Sequence, residues 1–157
     1  DDAEECIELH TKVNNVIKEF FNISEPYPEI KLERRGDSEF VGETEFTVNY
    51  IRNNPIDLGF FGRVLYPDQI VYLGDDQIAI DEISKKINII TETGQVIYRT
   101  GYLESRTIEE TLTAYLYVVH HIESNGLKLS TMSSEDINRI KNWDAEKYRK
   151  KMVSERK

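Results

Sequence analysis

Cysteine, tryptophan and methionine are nearly absent from this chain of 157 residues, which holds one, one and two of them. The single cysteine, Cys6, excludes an intramolecular disulfide and any Cys-x-x-Cys metal or redox motif. With four prolines and eight glycines the sequence is neither collagen-like nor of low complexity, and no internal repeat is visible. Long apolar runs are missing as well. The stretch Ile87 to Ile90 is interrupted by Asn88, far short of the ~18–20 apolar residues that a spanning helix needs, so no membrane partner is expected. The opening Asp-Asp-Ala-Glu-Glu is neither basic nor apolar, so no secretory signal is expected and the expected location is cytoplasmic. Basic residues are in deficit, 20 Lys and Arg against 29 Asp and Glu, for a net charge of −9. A nucleic-acid partner, which requires a basic footprint, is therefore not expected.

What is present describes one folded domain: 39% hydrophobic and 31% charged residues in a length that forms a single core. From Asp2 to Phe21 the positions Cys6, Leu9, Val13, Val16 and Phe20 step by three and four, with Ile7 and Ile17 widening the stripe, which predicts a helix with one buried face. Cys6 lies on that stripe and is expected to pack rather than react. Ser24-Glu25-Pro26-Tyr27-Pro28 ends the helix in a loop. Short alternating runs predict strands at Ile30 to Glu33, Phe46 to Tyr50, Gln69 to Leu73, Gln77 to Asp81, Ile87 to Thr91 and Gln95 to Thr100, with an extended piece at Val64 to Tyr66. Thr91-Glu92-Thr93-Gly94 reads as a hairpin turn. Thr107-Ile108-Glu109-Glu110 has the spacing of a capping box, and the stripe from Ile108 to Ile122 predicts a second helix over 107–123, stopped by Asn125-Gly126. Ser133 opens a last, peripheral helix over 134–153. The expected architecture is α+β: a mostly antiparallel sheet of five or six strands, an N-terminal helix, a covering helix, and a basic C-terminal helix at 133–157 attached to a domain spanning 1–132. Charge is divided accordingly, −12 over residues 1–134 and +3 over 135–157.

Motifs that carry chemistry are few. His10, His120 and His121 make no zinc-binding spacing, and the adjacent His120 and His121 should diverge by about 100° on a helix. Neither a Gly-x-Ser-x-Gly elbow nor a catalytic-cysteine signature occurs, and Gly59-Phe60-Phe61-Gly62 lacks the Lys-Ser or Lys-Thr of a phosphate-binding loop. The densest acidic group is Asp75-Asp76 with Asp81-Glu82, followed by Lys85 and Lys86. It has three readings: solvated turn carboxylates, a protein-binding acidic patch, or a hard-cation site of a metal-dependent hydrolase.

The succession Leu73-Gly74-Asp75-Asp76, Ile78-Ala79-Ile80-Asp81, Gly94-Gln95-Val96-Ile97-Tyr98 and a helix running Leu112 to Val119 resembles the SUKH superfamily of bacterial immunity and cell-wall-assembly-regulator-like proteins over about residues 60–123. The family's Leu-Pro-x-x-Tyr helix has no counterpart near Tyr27 or Pro28. The resemblance implies a small α+β domain that binds and neutralises a toxin, commonly a nuclease or deaminase, without catalysis or cofactor. The expected partner is then a protein with a basic surface, steered to Asp75, Asp76, Asp81 and Glu82, with Tyr66, Tyr72, Tyr98 and Tyr102 as candidate aromatic anchors. A metal-dependent hydrolase and a structural or adaptor domain are the alternatives.

Overall fold

The computed structural model describes residues 2–142. Along the chain the elements are α1 (Asp2–Phe20), β1 (Leu32–Gly36), β2 (Glu39–Gly42), α2 (Glu45–Asn53), α3 (Leu58–Phe61), α4 (Pro67–Tyr72), β3 (Ile78–Ile80), β4 (Ile87–Ile90), β5 (Gln95–Tyr98), α5 (Tyr102–Ser124) and α6 (Ser134–Lys141). The fold is α+β. Its five-stranded sheet runs β1-β2-β5-β4-β3, antiparallel at every pairing except the parallel β3/β4 edge. The expected hairpin joins β4 to β5, with Ile90 opposite Gln95 and Gly94 at φ 75.

A parallel pair usually needs a connection of a dozen or more residues; here residues 81–86 suffice, because the strands are so short that the chain has only ~10 Å to retrace. Two side chains hold this connection. Asp81 takes a left-handed φ of 56 as β3 ends. Asn88, buried in β4, accepts from the Ser84 and Lys85 amides at 2.9 Å and donates to the carbonyls of Lys85 at 2.9 Å and Ile97 at 3.2 Å. The residue that interrupts the apolar run thus pins the loop, with the buried amide fully bonded.

Two segments expected as strands are helices. Phe46 to Tyr50 lies in α2, which buries Thr47, Tyr50 and Ile51, a three-and-four spacing that tertiary packing rewards over the strand propensity of Phe, Thr, Val and Tyr. Gln69 to Leu73 falls in α4 and its cap, started by Pro67 in its first turn and buried along Gln69, Ile70, Val71 and Tyr72. Four consecutive buried residues leave no polar stripe from which to read a helical period. The strand expected at Ile30 begins at Leu32, and β2, too short to show a pattern, pairs back onto it across Asp37-Ser38. The covering helix α5 starts at Tyr102, one turn and more before Thr107. Thr107 does not cap; its hydroxyl donates to the Leu103 carbonyl at 2.9 Å, and Glu110 reaches Arg106 at 3.0 Å. The helix ends as expected, with Asn125 at its cap and Gly126 at φ 70.

The core lies between one face of the sheet and α2, α3, α4 and α5, with Ile87, Ile89, Val96 and Tyr98 meeting Ile108, Leu112, Tyr115, Leu116 and Val119. The expected burial of α1 is overturned. Its apolar residues are exposed, Cys6 among them, while the main helix contacts with the sheet are made by α2, α3 and α5. α6 begins at Ser133, whose hydroxyl accepts from the Asp136 amide at 3.1 Å, and it packs beside α4 without burying a residue. The remainder of the expected C-terminal helix lies outside the described residues. No described helix is long and apolar enough to cross a membrane.

Candidate functional site

The four carboxylates singled out in the sequence do not form one cluster. Asp75 and Asp76 precede β3 and Asp81 and Glu82 follow it, so the pairs stand at opposite ends of a strand about 10 Å long. The Lys85 ammonium donates to the Asp75 carbonyl at 3.0 Å, bringing a cation to the first pair, while Lys86 turns to Glu104 of α5 at 2.7 Å. Asp81 is engaged structurally: its carboxylate accepts from the Thr91 hydroxyl and from the Thr91 amide, each at 2.7 Å. These hydroxyl and amide donors hold its pKa below the ordinary value. Among the described residues no three His, Cys, Asp or Glu side chains come together as a metal site.

The tyrosines divide likewise. Tyr98 is 0% and Tyr72 6% exposed, so neither can anchor a partner; both are core residues, correcting the expectation. Tyr66 is half-buried and donates to the Thr111 carbonyl at 2.9 Å. Only Tyr102 presents an open ring, tilted against Phe40 at 5.6 Å.

A site absent from the sequence reading lies on the opposite flank. The loop between α1 and β1, the start of α2 and the end of α5 enclose a cleft of about 610 Å3. Its aromatic wall is built from Phe46 and Tyr117, 5.4 Å apart, with His120 5.8 Å from Phe46 and His121 4.3 Å from Tyr117. His120 and His121 were expected to diverge, yet both line this cleft with ring centroids 5.1 Å apart. Burial, and then the neighbouring His120, lower the pKa of His121, which favours the neutral ring at pH 7. Glu25, Glu29 and Glu45 border the cleft and Lys31 is the cation beside them, paired with Glu29 at 3.0 Å. Burial raises the Tyr117 pKa, and the charge of Glu25 raises it further. The arrangement offers aromatic faces under a negative field, which suits a cationic side chain. Sequence reasoning missed it because three distant segments contribute, and because Phe46 and Asn49 share a face only once α2 is a helix.

A second feature is interior. Glu109 of α5 is fully buried over Gly42 of β2, where a Cβ would stand 2.5 Å from its Oε2. Tyr98 donates its hydroxyl to Oε2, while Oε1 completes no hydrogen bond of good geometry. Burial pushes the carboxyl above its ordinary value against the pull of the Thr44 and Tyr98 donors. Through Tyr98 of β5 it ties α5 to the sheet. No protein-family profile matches the chain, and no curated protein or solved structure is significantly similar to it.

Proposed function

We propose that this protein is a non-enzymatic protein-binding domain of the immunity type, which neutralises a basic toxin, of nuclease or deaminase chemistry, by holding part of its basic surface. The observation that carries the reading is the cleft at the α2/α5 flank, where Phe46, Tyr117, His120 and His121 form the wall and Glu25, Glu29 and Glu45 the rim. An arginine or lysine entering it would stack on aromatic faces, worth ~0.5–2 kcal/mol, while the carboxylates steer its approach. Aromatic surroundings within a charged rim are the usual anatomy of a binding hot spot. The body's charge of −12 over residues 1–134 and the resemblance to the SUKH superfamily support the same partner class. The cleft takes over the role first given to Asp75, Asp76, Asp81 and Glu82, which stand apart and of which Asp81 is already bonded.

The test is co-expression with basic toxin domains, followed by calorimetry on any complex recovered. Affinity should fall as salt rises, and the triple variant Glu25→Lys, Glu29→Lys, Glu45→Lys should weaken binding at least tenfold. Reversal of Asp75 and Asp76 should have a smaller effect. Unchanged affinity in the triple variant would overturn the cleft as the binding site. For the hydrolase alternative, binding of magnesium, manganese or calcium at an oxygen-ligand site is expected, and a titration in which none of them binds counts against it.

A further inference from the structure

The first helix leaves an apolar stripe in solvent: Ile7, Leu9, Val13, Val16, Ile17 and Phe20 of α1 are 47–69% exposed. Most helical stability in water comes from covering such a face rather than from intrinsic propensity. The spacing is that of a coiled-coil seam, with Cys6, Val13 and Phe20 seven apart at one core position and Leu9 and Val16 at the other. Glu5, Lys12 and Glu19 then occupy one flank of the seam, and His10 and Ile17 the other.

We infer that α1 pairs antiparallel with α1 of a second copy of this chain, in the register that sets Val13 against Val16. Charge selects this arrangement. In that register Leu9 meets Phe20, and Lys12 of each copy faces Glu19 of the other, so two attractive pairs flank four apolar layers. Moving the helices by one heptad, so that Leu9 meets Val13, sets Lys12 against Lys12 and Glu5 against Glu19. A parallel pair places Lys12 beside Ile17 and gathers Glu4, Glu5 and Glu8 of both copies at one end, where like charges repel. The antiparallel pair keeps those acidic turns apart and opposes the helix dipoles. None of the seam residues lines the aromatic cleft, and the pairing does not rest on what the cleft binds.

Sedimentation of the full chain should show a reversible monomer–dimer equilibrium at concentrations up to about 1 mM. Val13→Glu should abolish it without changing the melting of the body, since α1 lies outside the core. Lys12→Glu or Glu19→Lys alone should weaken the dimer about tenfold, and the two combined in one chain should restore it, because each pair is then re-formed with reversed signs. In a Cys6→Ser background, an equal mixture of Val13→Cys and Val16→Cys chains should form a mixed disulfide on oxidation, and neither alone should cross-link efficiently. A chain that stays monomeric at that concentration would overturn the proposal, whether its stripe is left bare or is covered by its own C-terminal residues. So would efficient cross-linking by Val13→Cys alone, the mark of a parallel pair, or a failure of the charge swap to rescue.

Discussion

Helices α1 and α5 carry the same sequence signal and meet opposite fates. Each has an apolar stripe stepping by three and four. In α5 the residues Ile108, Leu112, Tyr115, Leu116 and Val119 vanish into the core, whereas the stripe of α1 stays in solvent. The difference lies in what the sheet has left to offer. The main helix contacts with the sheet are made by α2, α3 and α5, with α4 packed on α5, and the helix that comes first in the chain has no comparable place. Amphipathicity therefore states that a helix has a face to cover, and not what will cover it.

The sharpest break of this comparison is a matched truncation. Leu112→Ala in α5 should cost ~2–5 kcal/mol, from lost transfer energy and the cavity left behind, while Val13→Ala in α1 should move the unfolding of dilute protein by less than about 0.5 kcal/mol; urea denaturation of both variants checks it. Equal losses would mean that α1 belongs to the core. Next in size is Gly94→Ala. A Cβ there would lie 2.2 Å from the Val48 carbonyl oxygen, at a φ of 75 that alanine resists, so about 2–4 kcal/mol should be lost through strain and a displaced α2. Gly126, with a similar φ but open space around it, should lose less on the same change.

Glu109 sharpens the contrast between a buried and an exposed carboxylate. Because burial raises its pKa in the folded protein above the ordinary value near 4.5, the unfolded chain gives up the proton first. Its contribution is complete below that ordinary value and is lost as pH rises through the folded one. Glu109→Gln should remove this decline from a stability–pH profile measured by urea denaturation across pH. The smallest effect is expected at Asp81. Its folded pKa lies below the ordinary 3.8, through the Thr91 hydroxyl and amide, so its stabilisation is present above that value and fades as pH falls through the folded one. Asp81→Asn should flatten the acid limb of the same profile slightly, as this carboxylate is open to solvent and its interactions are screened.

Several parts of the molecule were legible because their signals are local. The β4–β5 hairpin follows from Gly94, the end of α5 from Asn125-Gly126, and the start of α6 from Ser133, each a position where one residue's backbone freedom or side-chain oxygen decides the turn. Helices α2 and α4 read as strands in the sequence because both are short, and α4 buries four consecutive residues, Gln69 to Tyr72, so no alternation marks the helical period. That misreading hid the cleft, since Phe46 joins Tyr117 and His120 only through the turn of α2. Tyr72 and Tyr98 looked like partner anchors until burial placed them inside.

By itself the amino-acid order determined an acidic α+β domain, its central hairpin and its long covering helix, because composition, alternation and capping act over a few residues. Tertiary structure alone decided which apolar stripe is covered, that Asp75 and Asp81 stand at opposite ends of β3, and that aromatic rings from α2 and α5 share a cleft. These depend on which surfaces compete for one face of the sheet, a contest settled by the whole chain's packing and invisible in any single segment.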